Sequence, residues 1–238
     1  MIYPARQQFN FDTAIRYGPI VEEIERSRRK ESPVLEIGSG GSGISDYFSG
    51  QVIGIDTDFS KTGTKKNQNI KYIKASVFKL PFKTNSFYQV VCLDTLEHIQ
   101  VNRRREAIKE MLRITKKGGK IFLGFPFGEK SIRMEGRINN LFKKVYGKDH
   151  LWLLEHKKNG LPKIEDVKQY LLDCGIKENQ FEISYNANLL CWFLLHWFFT
   201  VNPGKFLSRV LRLAYKQLFF LLRINLPPYY RAIFTIKK

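Results

Sequence analysis

The sequence has few cysteines, and it has no Asp or Glu from residue 184 onward. Its three cysteines, Cys92, Cys174 and Cys191, are odd in number and far apart, which excludes a disulfide framework and a cysteine-based metal site. We therefore expect a reducing, cytoplasmic setting, and the sequence predicts no metal ion. Residues 1–12 lack the apolar core and the cleavage signal that a secretory peptide would need.

The shortage of acidic residues leaves a strong positive charge. Forty Lys and Arg residues against 22 Asp and Glu residues give a formal net charge of +18. Such an excess indicates an anionic partner, namely a nucleic acid, an anionic membrane surface or an acidic substrate, unless it serves only solubility. The 238 residues are enough for one large domain with its own core, or for two small domains.

A glycine-rich turn after a short apolar run is the most informative stretch of the sequence. Residues 34–37 are predicted to form a strand, and residues 44–48 can open a helix. Between them, Gly38, Gly40 and Gly43 fit the pattern G-x-G-x-x-G, in which glycine lets the backbone approach a ligand closely. The pattern alone is a weak signal, because an ordinary turn between a strand and a helix also contains glycine.

Strands and helices alternate on both sides of this turn, which predicts an α/β fold. We expect a Rossmann-like doubly wound sheet of seven strands, mostly parallel, with helices on both faces. The strands are predicted at residues 34–37, 52–55, 70–75, 87–93, 120–125, 181–185 and 230–236, and the helices at residues 13–30, 102–114, 132–146 and 164–174. The carboxyl ends of parallel strands share one edge, so we expect the residues that follow these strands to surround one crevice.

Two acidic residues at strand ends distinguish between kinds of nucleotide site. Glu36 precedes the first glycine, where its charge would repel the pyrophosphate of a dinucleotide but would attract a ligand that carries a cationic amine. Asp56 follows the second strand and could accept hydrogen bonds from ribose hydroxyls, or could instead cap the next helix. Glu36 therefore argues against a nicotinamide dinucleotide, as does the absence of a second dinucleotide-binding half.

Five motifs in the first half of the chain resemble those of the class I S-adenosylmethionine-dependent methyltransferases. They are Val-Leu-Glu-Ile-Gly-Ser-Gly at 34–40, Gly-Ile-Asp at 54–56, Leu-Pro-Phe at 80–82, Asp-Thr-Leu-Glu-His at 94–98, and Leu-Arg at 112–113 with Lys-Gly-Gly at 117–119. The resemblance implies S-adenosyl-L-methionine as the cofactor and a single methyltransferase domain over residues 1–238. Within it we expect a cofactor-binding core at 30–126, a substrate-covering region at 127–165 and an apolar, basic helical insertion at 186–228.

The resemblance also implies roles for individual residues. The aminocarboxypropyl end of the cofactor would be held by Glu36, Gly38, Ser39 and Gly40, the ribose by Asp56 beside Thr57 and Asp58, the adenine edge by Ser76, Val77 and Phe78, and the floor beneath the sulfonium by Leu93 and Asp94. Two features depart from the family pattern. Ser76 stands where relatives usually carry Asp, and the third glycine comes at residue 43 instead of 42.

Histidines are the candidates for proton transfer. Methyl transfer requires alignment in a dry pocket, and a general base where the nucleophile is a hydroxyl. His98, just beyond the fourth strand, is the first candidate, although it could be structural and cap the following helix. His156 in the covering region is the second candidate. His150 and His196 are weaker, since His196 lies in an apolar stretch typical of a packed core.

Two apolar segments near the C-terminus suggest contact with a membrane surface. Residues 189–201 carry no formal charge and five aromatic side chains, and residues 206–224 predict a further helix. Four cations share one face of that helix, as in an interfacial membrane element. They are Arg209, Arg212, Lys216 and Arg223. Neither segment suits a membrane span, and a dimer interface or packing on the sheet is the alternative.

The sequence thus predicts a methyltransferase but leaves its acceptor open. The favoured function is in-line methyl transfer from S-adenosylmethionine to a small or lipid-linked acceptor near a membrane surface. The alternatives are an RNA methyltransferase, a catalytically silent cofactor-binding module and an NAD-dependent oxidoreductase. Glu36 argues against the last of these, whereas Ser76 keeps the silent module open.

Overall fold

A seven-stranded sheet forms the centre of the computed structural model, which describes residues 11–27, 32–40, 43–59, 69–202 and 226–238. The strands are β1 (Val34–Ile37), β2 (Val52–Asp56), β3 (Ile70–Lys74), β4 (Phe87–Leu93), β5 (Thr115–Pro126), β6 (Phe181–Asn188) and β7 (Tyr229–Lys237). Their order in the sheet is β3-β2-β1-β4-β5-β7-β6. Strands β1 to β5 pair in parallel, and β7 runs antiparallel to β5 and β6, so the predicted mostly parallel sheet is confirmed.

Six α-helices surround this sheet. They are α1 (Phe11–Arg26), α2 (Arg104–Ile114), α3 (Gly128–Tyr146), α4 (Leu151–Asn159), α5 (Ile164–Asp173) and α6 (Leu189–His196), which continues as a π-helical turn at Trp197–Val201. This count refers to the described ranges. Within them, the structure has no helix that is long and apolar enough to cross a membrane. The predicted helix at 206–224 and its four cations lie outside the described residues, as do Gly41 and Ser42.

The two faces of the sheet are covered by different helices. On one face, α1 contributes Tyr17, Ile20 and Ile24 to a cluster with buried side chains of β1, β2, β4, β5 and β7. On the other face, α2 and α5 pack through side chains such as Met111 and Leu171. Burial on both faces explains why β1 and β4 read as continuous apolar runs in the sequence.

A third apolar cluster joins α3, α4 and α6 beside the carboxyl edge of the sheet. Its buried members include Ile138 of α3, Leu153 of α4 and Trp192 of α6. The indole of Trp192 stacks on the ring of Tyr230 from β7, with centroids 4.0 Å apart. The first half of residues 189–201 therefore packs, in part, against the rest of the chain.

The observed elements differ from the prediction in several places: α3 begins four residues earlier than predicted, and β6 ends three residues later. Strand β5 begins at Thr115, and Lys238 extends its pairing with β7 through backbone hydrogen bonds to Gly118 and Gly119. The helix expected after the glycine turn is a single 3₁₀ turn at Ile44–Asp46, and α1 covers that face of the sheet. Helix α4, which carries His156, has mixed polar and apolar residues without a clear apolar stripe and was not predicted as a helix.

Candidate active site

A cavity of about 1050 Å³ lies between the carboxyl edge of the sheet and helices α1, α3, α4 and α6. Most of the sequence-predicted residues line it. They are Gly38, Gly40, Asp56, Thr57, Asp58, Ser76, Val77, Phe78, Asp94, His98 and His156, together with the weaker candidates His150 and His196. Glu36, Ser39 and Leu93 are buried and do not belong to the lining. The structure thus brings together residues that are up to 158 positions apart in the sequence, from Gly38 to His196.

The glycine turn is held by backbone contacts that explain its composition. Gly38 has a φ of 76°, and its N–H donates to the carbonyl of Ile55 at 2.8 Å. A Cβ on Gly38 would lie 2.0 Å from Oγ1 of Thr95, so a larger residue could not fit. Gly40, with a φ of 36°, donates its N–H to Oδ2 of Asp56 at 2.9 Å. The hydrogen bond from Gly40 therefore holds the carboxylate of Asp56, the last residue of β2, at the cavity wall.

The Asp56 carboxylate has acceptor capacity to spare. Oδ2 accepts from Gly40, and Oδ1 accepts the N–H of Asp58 at 3.1 Å. A carboxylate offers about four lone-pair directions, so two amide donors leave room for a pair of ligand hydroxyls. The ribose of a nucleoside presents such a pair. The free acceptor positions of Asp56 at this end of the cavity thus fit the ribose of S-adenosylmethionine.

The segment after β3 forms an apolar wall next to Asp56. Val77 and Phe78 line the cavity and pack against the main core, and the guanidinium carbon of Arg103 lies 3.5 Å from the centroid of the Phe78 ring. Oγ of Ser76 accepts the N–H of Phe78 at 3.4 Å. This wall offers the flat, largely apolar surface that an adenine would contact, while Ser76 contributes a neutral hydroxyl.

Glu36 lies behind the glycine turn and does not face the cavity. Its Oε1 accepts the N–H of Ile44 at 2.8 Å, and Tyr17 of α1 also hydrogen-bonds its carboxylate. A Cβ on Gly43 would come within 2.3 Å of Oε2, so the turn closes directly over the carboxylate. Burial raises the pKa of Glu36 to about 7. In this arrangement Glu36 braces the turn, and direct contact with a cofactor amine stays a prediction.

Asp94 belongs to a buried cluster of two acids and two arginines. Arg231 of β7, fully buried, makes two hydrogen bonds of 2.5 Å to the Asp94 carboxylate, and Nη2 of Arg16 lies 3.0 Å from it. Asp12 pairs with Arg16 and lies 3.5 Å from Nη2 of Arg231. Burial acts to raise the pKa of Asp94, but the two arginines outweigh it and lower the pKa.

Three members of this cluster were not predicted from the sequence: Asp12, Arg16 and Arg231. Arg231 lies in the predicted seventh strand without an assigned role, and its charge is neutralised inside the protein. Asp12 and Arg16 lie on α1, more than 200 residues before Arg231. No local pattern links them, because the contact depends on how α1 packs beside β7.

The two histidine candidates lie together on the β4 side of the cavity, two strands from Asp56 of β2, and each meets a carboxylate. Nδ1 of His98 lies 2.7 Å from Oε2 of Glu155, and Nδ1 of His156 lies 3.1 Å from Oε1 of Glu135. The two imidazole centroids are 4.8 Å apart. Burial and the neighbouring His156 lower the pKa of His98. Burial acts to lower the pKa of His156, but the Glu135 hydrogen bond and the charges of Glu97 and Glu135 raise it overall.

Glu97 is a cavity residue whose role the sequence analysis did not recognise. It is fully buried, and its Oε1 lies 3.9 Å from Nε2 of His156. Burial, followed by the nearby charge of Asp94, raises its pKa to about 8. The residue was visible in the sequence as part of Asp-Thr-Leu-Glu-His, but its inward direction depends on the 3₁₀ turn Leu96–His98.

The remaining histidines are packed. The ring of His150 contacts Phe142 and Trp152 edge-on, and Nδ1 of His196 lies 3.0 Å from the carbonyl of Trp192. Burial lowers the pKa of both imidazoles. Their surroundings agree with the packed environment expected for His196.

Comparison with known proteins shows which proteins this chain resembles. Residues 35–123 match a family model described as a methyltransferase domain. Over these residues the chain is similar to methyltransferase domains, in agreement with the S-adenosylmethionine-dependent class that the sequence motifs resemble. A demethylmenaquinone methyltransferase from Renibacterium salmoninarum is 34% identical to it over 93 residues. That alignment spans 37% of this chain and 38% of the relative, so the chain covers little more than a third of the curated relative's length.

Solved structures extend the likeness of the methyltransferase domain to nearly the whole fold. The YcgJ protein from Bacillus subtilis is 15% identical, with a TM-score of 0.53 over 94% of this chain and 98% of its own. A phosphoethanolamine N-methyltransferase from Haemonchus contortus, solved with S-adenosylhomocysteine and phosphomonomethylethanolamine, is 15% identical, with a TM-score of 0.57. This match covers 92% of this chain and 52% of the Haemonchus protein. At such identities the likeness concerns the fold alone.

Proposed function

We propose that this protein transfers a methyl group from S-adenosylmethionine to a small or lipid-linked acceptor bound in the cavity. One observation carries the proposal. A single cavity joins the nucleoside-type wall around Asp56 to a separate end that holds His98 and His156. A catalytically silent binding module would need only the first of these two ends.

The cofactor end is proposed to act through backbone and carboxylate. Asp56 would bind the ribose hydroxyls, and Val77 and Phe78 would contact the adenine. Gly38 and Gly40 keep this part of the wall free of side-chain bulk. When bound, S-adenosylmethionine supplies an electrophilic methyl group on a sulfonium. The residues of the chain orient it and exclude water, which is the main requirement of a displacement that disperses charge.

The acceptor end is proposed to hold and activate an oxygen nucleophile. Because its pKa is lowered, His98 is neutral near pH 7. With Nδ1 protonated and donating to Glu155, its Nε2 can accept a proton from an acceptor hydroxyl. His156 is held by Glu135, which also accepts a hydrogen bond of 2.7 Å from the hydroxyl of Tyr230. This network fixes the imidazoles in place.

Apolar side chains at the acceptor end support an apolar acceptor. The cavity is lined there by Trp152, Leu153, Trp192, Leu195 and Phe199. Leu151, Trp152 and Leu190 on the adjoining helices are exposed to 71%, 54% and 58%. The relative matched over 93 residues is named a demethylmenaquinone methyltransferase. We propose on these grounds that the acceptor is lipid-linked and that this rim meets a membrane surface, aided by the basic residues 209, 212, 216 and 223.

Calorimetry tests the cofactor half of the proposal. S-adenosylhomocysteine and S-adenosylmethionine should each bind to the full chain with one site, whereas NAD should not bind. Binding of NAD in place of the sulfur compounds would favour an oxidoreductase and contradict the proposal.

Co-sedimentation with vesicles tests the membrane half. The full chain should pellet with vesicles containing anionic lipid and less with neutral ones. A variant with Arg209, Arg212, Lys216 and Arg223 all changed to Gln should pellet less. The matched control changes four exposed lysines in and after β3, away from α4 and α6, to Gln: Lys71, Lys74, Lys79 and Lys83. Equal pelleting of all three proteins, or dimer formation without vesicle binding, would contradict membrane contact.

A further inference from the structure

We propose that Glu97, His98 and His156 form a binding site for a divalent transition-metal ion at the acceptor end of the cavity. One ligand atom from each of the three side chains lies within 4.8 Å of the other two. All three residues line the cavity, so an ion there would also be open to a bound molecule. The sequence predicts no metal, because its cysteines lack metal-ligand spacing and residues 97–98 and 156 are far apart along the chain.

The hydrogen bonds of the two imidazoles leave the same nitrogen available on each ring. Nδ1 of His98 faces Glu155 at 2.7 Å, and Nδ1 of His156 faces Glu135 at 3.1 Å. A carboxylate at Nδ1 fixes the proton there and makes Nε2 the basic nitrogen. Metal-bound histidines in proteins commonly have this outer carboxylate. In this chain both histidines have one.

The carboxylate of Glu97 lacks the partners that a buried acid needs. Glu97 is 0% exposed, and within the described ranges neither of its oxygens accepts a hydrogen bond from another residue. Nε2 of His156, 3.9 Å away, is likewise buried and without a hydrogen-bond partner in that part of the chain. The nearby Arg104 directs Nε to the carbonyls of Leu96 and Ile99 and does not reach the carboxylate. Buried polar groups normally have a hydrogen-bond partner or bind a metal, and an ion between these groups would satisfy both.

The donor set indicates the class of ion. Two imidazole nitrogens and one carboxylate oxygen suit zinc and the other later divalent metals of the first transition series, whereas magnesium and calcium prefer oxygen ligands. Bonds of about 2.1 Å would bring two ligand atoms to within about 4.2 Å of each other. The observed separations require small side-chain rotations to close the site. Three protein ligands leave at least one position open, as in catalytic metal sites.

The open position would face the acceptor. A metal ion lowers the pKa of a bound hydroxyl and orients the oxygen, so it would replace a free imidazole as the activating group. Binding of the ion rests on the three residues alone, whereas this role in catalysis rests on the proposed methyl transfer. A hydroxyl, enol or phenol oxygen is the acceptor chemistry that such an ion recognises.

Cobalt titration of the full chain tests the site without any methyl acceptor. The protein is first treated with a chelator, and Co²⁺ binding is followed by its visible absorption and by calorimetry. We expect one ion per chain, displaced by Zn²⁺. Glu97→Gln and His98→Gln should each weaken binding by roughly tenfold or more, since each removes one ligand. His156→Gln should do the same.

Two controls make the result decisive. His150→Gln removes another histidine of the same cavity and should leave Co²⁺ binding unchanged. Binding of S-adenosylhomocysteine, measured on the same samples, reports whether each variant is folded and tests the proposed function separately. The proposal is overturned if the wild-type protein binds no Co²⁺, if Glu97→Gln and His98→Gln bind it normally, or if His150→Gln weakens binding equally.

Discussion

The two ends of the cavity are built in different ways. The cofactor end uses three short segments that each follow a parallel strand, and much of its shape comes from the backbone of Gly38, Gly40 and residues 76–78. The acceptor end uses side chains from Leu96–His98, α3, α4 and β7, which meet only through tertiary packing. The first end can therefore be recognised from local sequence, whereas the second depends on how the covering helices pack.

Three members of the ion cluster, Asp12, Arg16 and Asp94, also line the cavity, and breaking this cluster should have the largest effect. Arg231→Met would remove the guanidinium that donates two short hydrogen bonds to Asp94, and removal of one member of a buried pair costs about 3–5 kcal/mol. We expect a loss of that size in the free energy of unfolding, measured with urea. Lys237→Met, on the same strand, removes an exposed pair with Glu182 and should cost less than about 1 kcal/mol. A similar loss of unfolding free energy in both variants would contradict the view that Arg231 is a buried ion-pair partner of Asp94.

Asp56→Asn should separate the two ends by their ligands. The amide keeps one acceptor but loses the charge, and hydrogen bonds to a charged group contribute about 1.5–3 kcal/mol. The affinity for S-adenosylhomocysteine should fall by roughly 10- to 100-fold in calorimetry. Glu97→Gln, at the other end, should keep this affinity. If Glu97→Gln lost this affinity and Asp56→Asn kept it, the cofactor would bind at the end that holds Glu97, which would contradict the assignment.

The raised pKa of Glu36 allows a test of whether its carboxylate is buried beneath the glycine turn. Its pKa of about 7 in the folded protein lies above the value of 4.5 for an unperturbed glutamate. Its contribution to stability is therefore fully present below pH 4.5 and is lost as the pH rises through 7. Relative to wild type, Glu36→Gln should gain on the order of 1–3 kcal/mol of unfolding free energy between pH 5 and pH 8.

Urea unfolding at the two pH values measures this gain. Glu182→Gln changes an exposed carboxylate and serves as the matched control, with a much smaller expected change between the two pH values. A pH-independent difference between Glu36→Gln and wild type would show that the carboxylate is not buried as described.

Ser76 offers the smallest expected effect. Relatives of this class usually carry Asp at the matching position, and a charged acceptor binds an amine more strongly than a hydroxyl. Ser76→Asp should strengthen S-adenosylhomocysteine binding by about two- to fivefold. Ser76→Ala should change it little, because Oγ makes only a long hydrogen bond of 3.4 Å to Phe78. Weaker binding by the Asp variant would argue against an adenine amine at this wall.

The same contrast explains what could be predicted from the sequence. Strands β1, β2 and β4 were predicted to within a residue, because their apolar runs end at a glycine or an acid. The cavity lining around Asp56 followed from the rule that parallel strands share one carboxyl edge.

Other features could not be predicted because no local pattern encodes them. Helix α4 lacks apolar periodicity, and Arg231 resembles any other cation of a basic segment until it is seen paired with Asp94. The contacts of Glu135 with His156 and Tyr230 span 21 and 95 residues. Such contacts are set by the packing of α3 and α4 over the sheet edge.

A screen for methylated products tests the central claim most directly. The full chain is incubated with lipid extracts and S-adenosylmethionine carrying an isotopically labelled methyl group, and products are separated by mass spectrometry. We predict that one apolar compound gains one labelled methyl group with wild-type protein and much less with Asp56→Asn. Label found only in RNA, or no labelled product despite binding of S-adenosylhomocysteine, would contradict the claim.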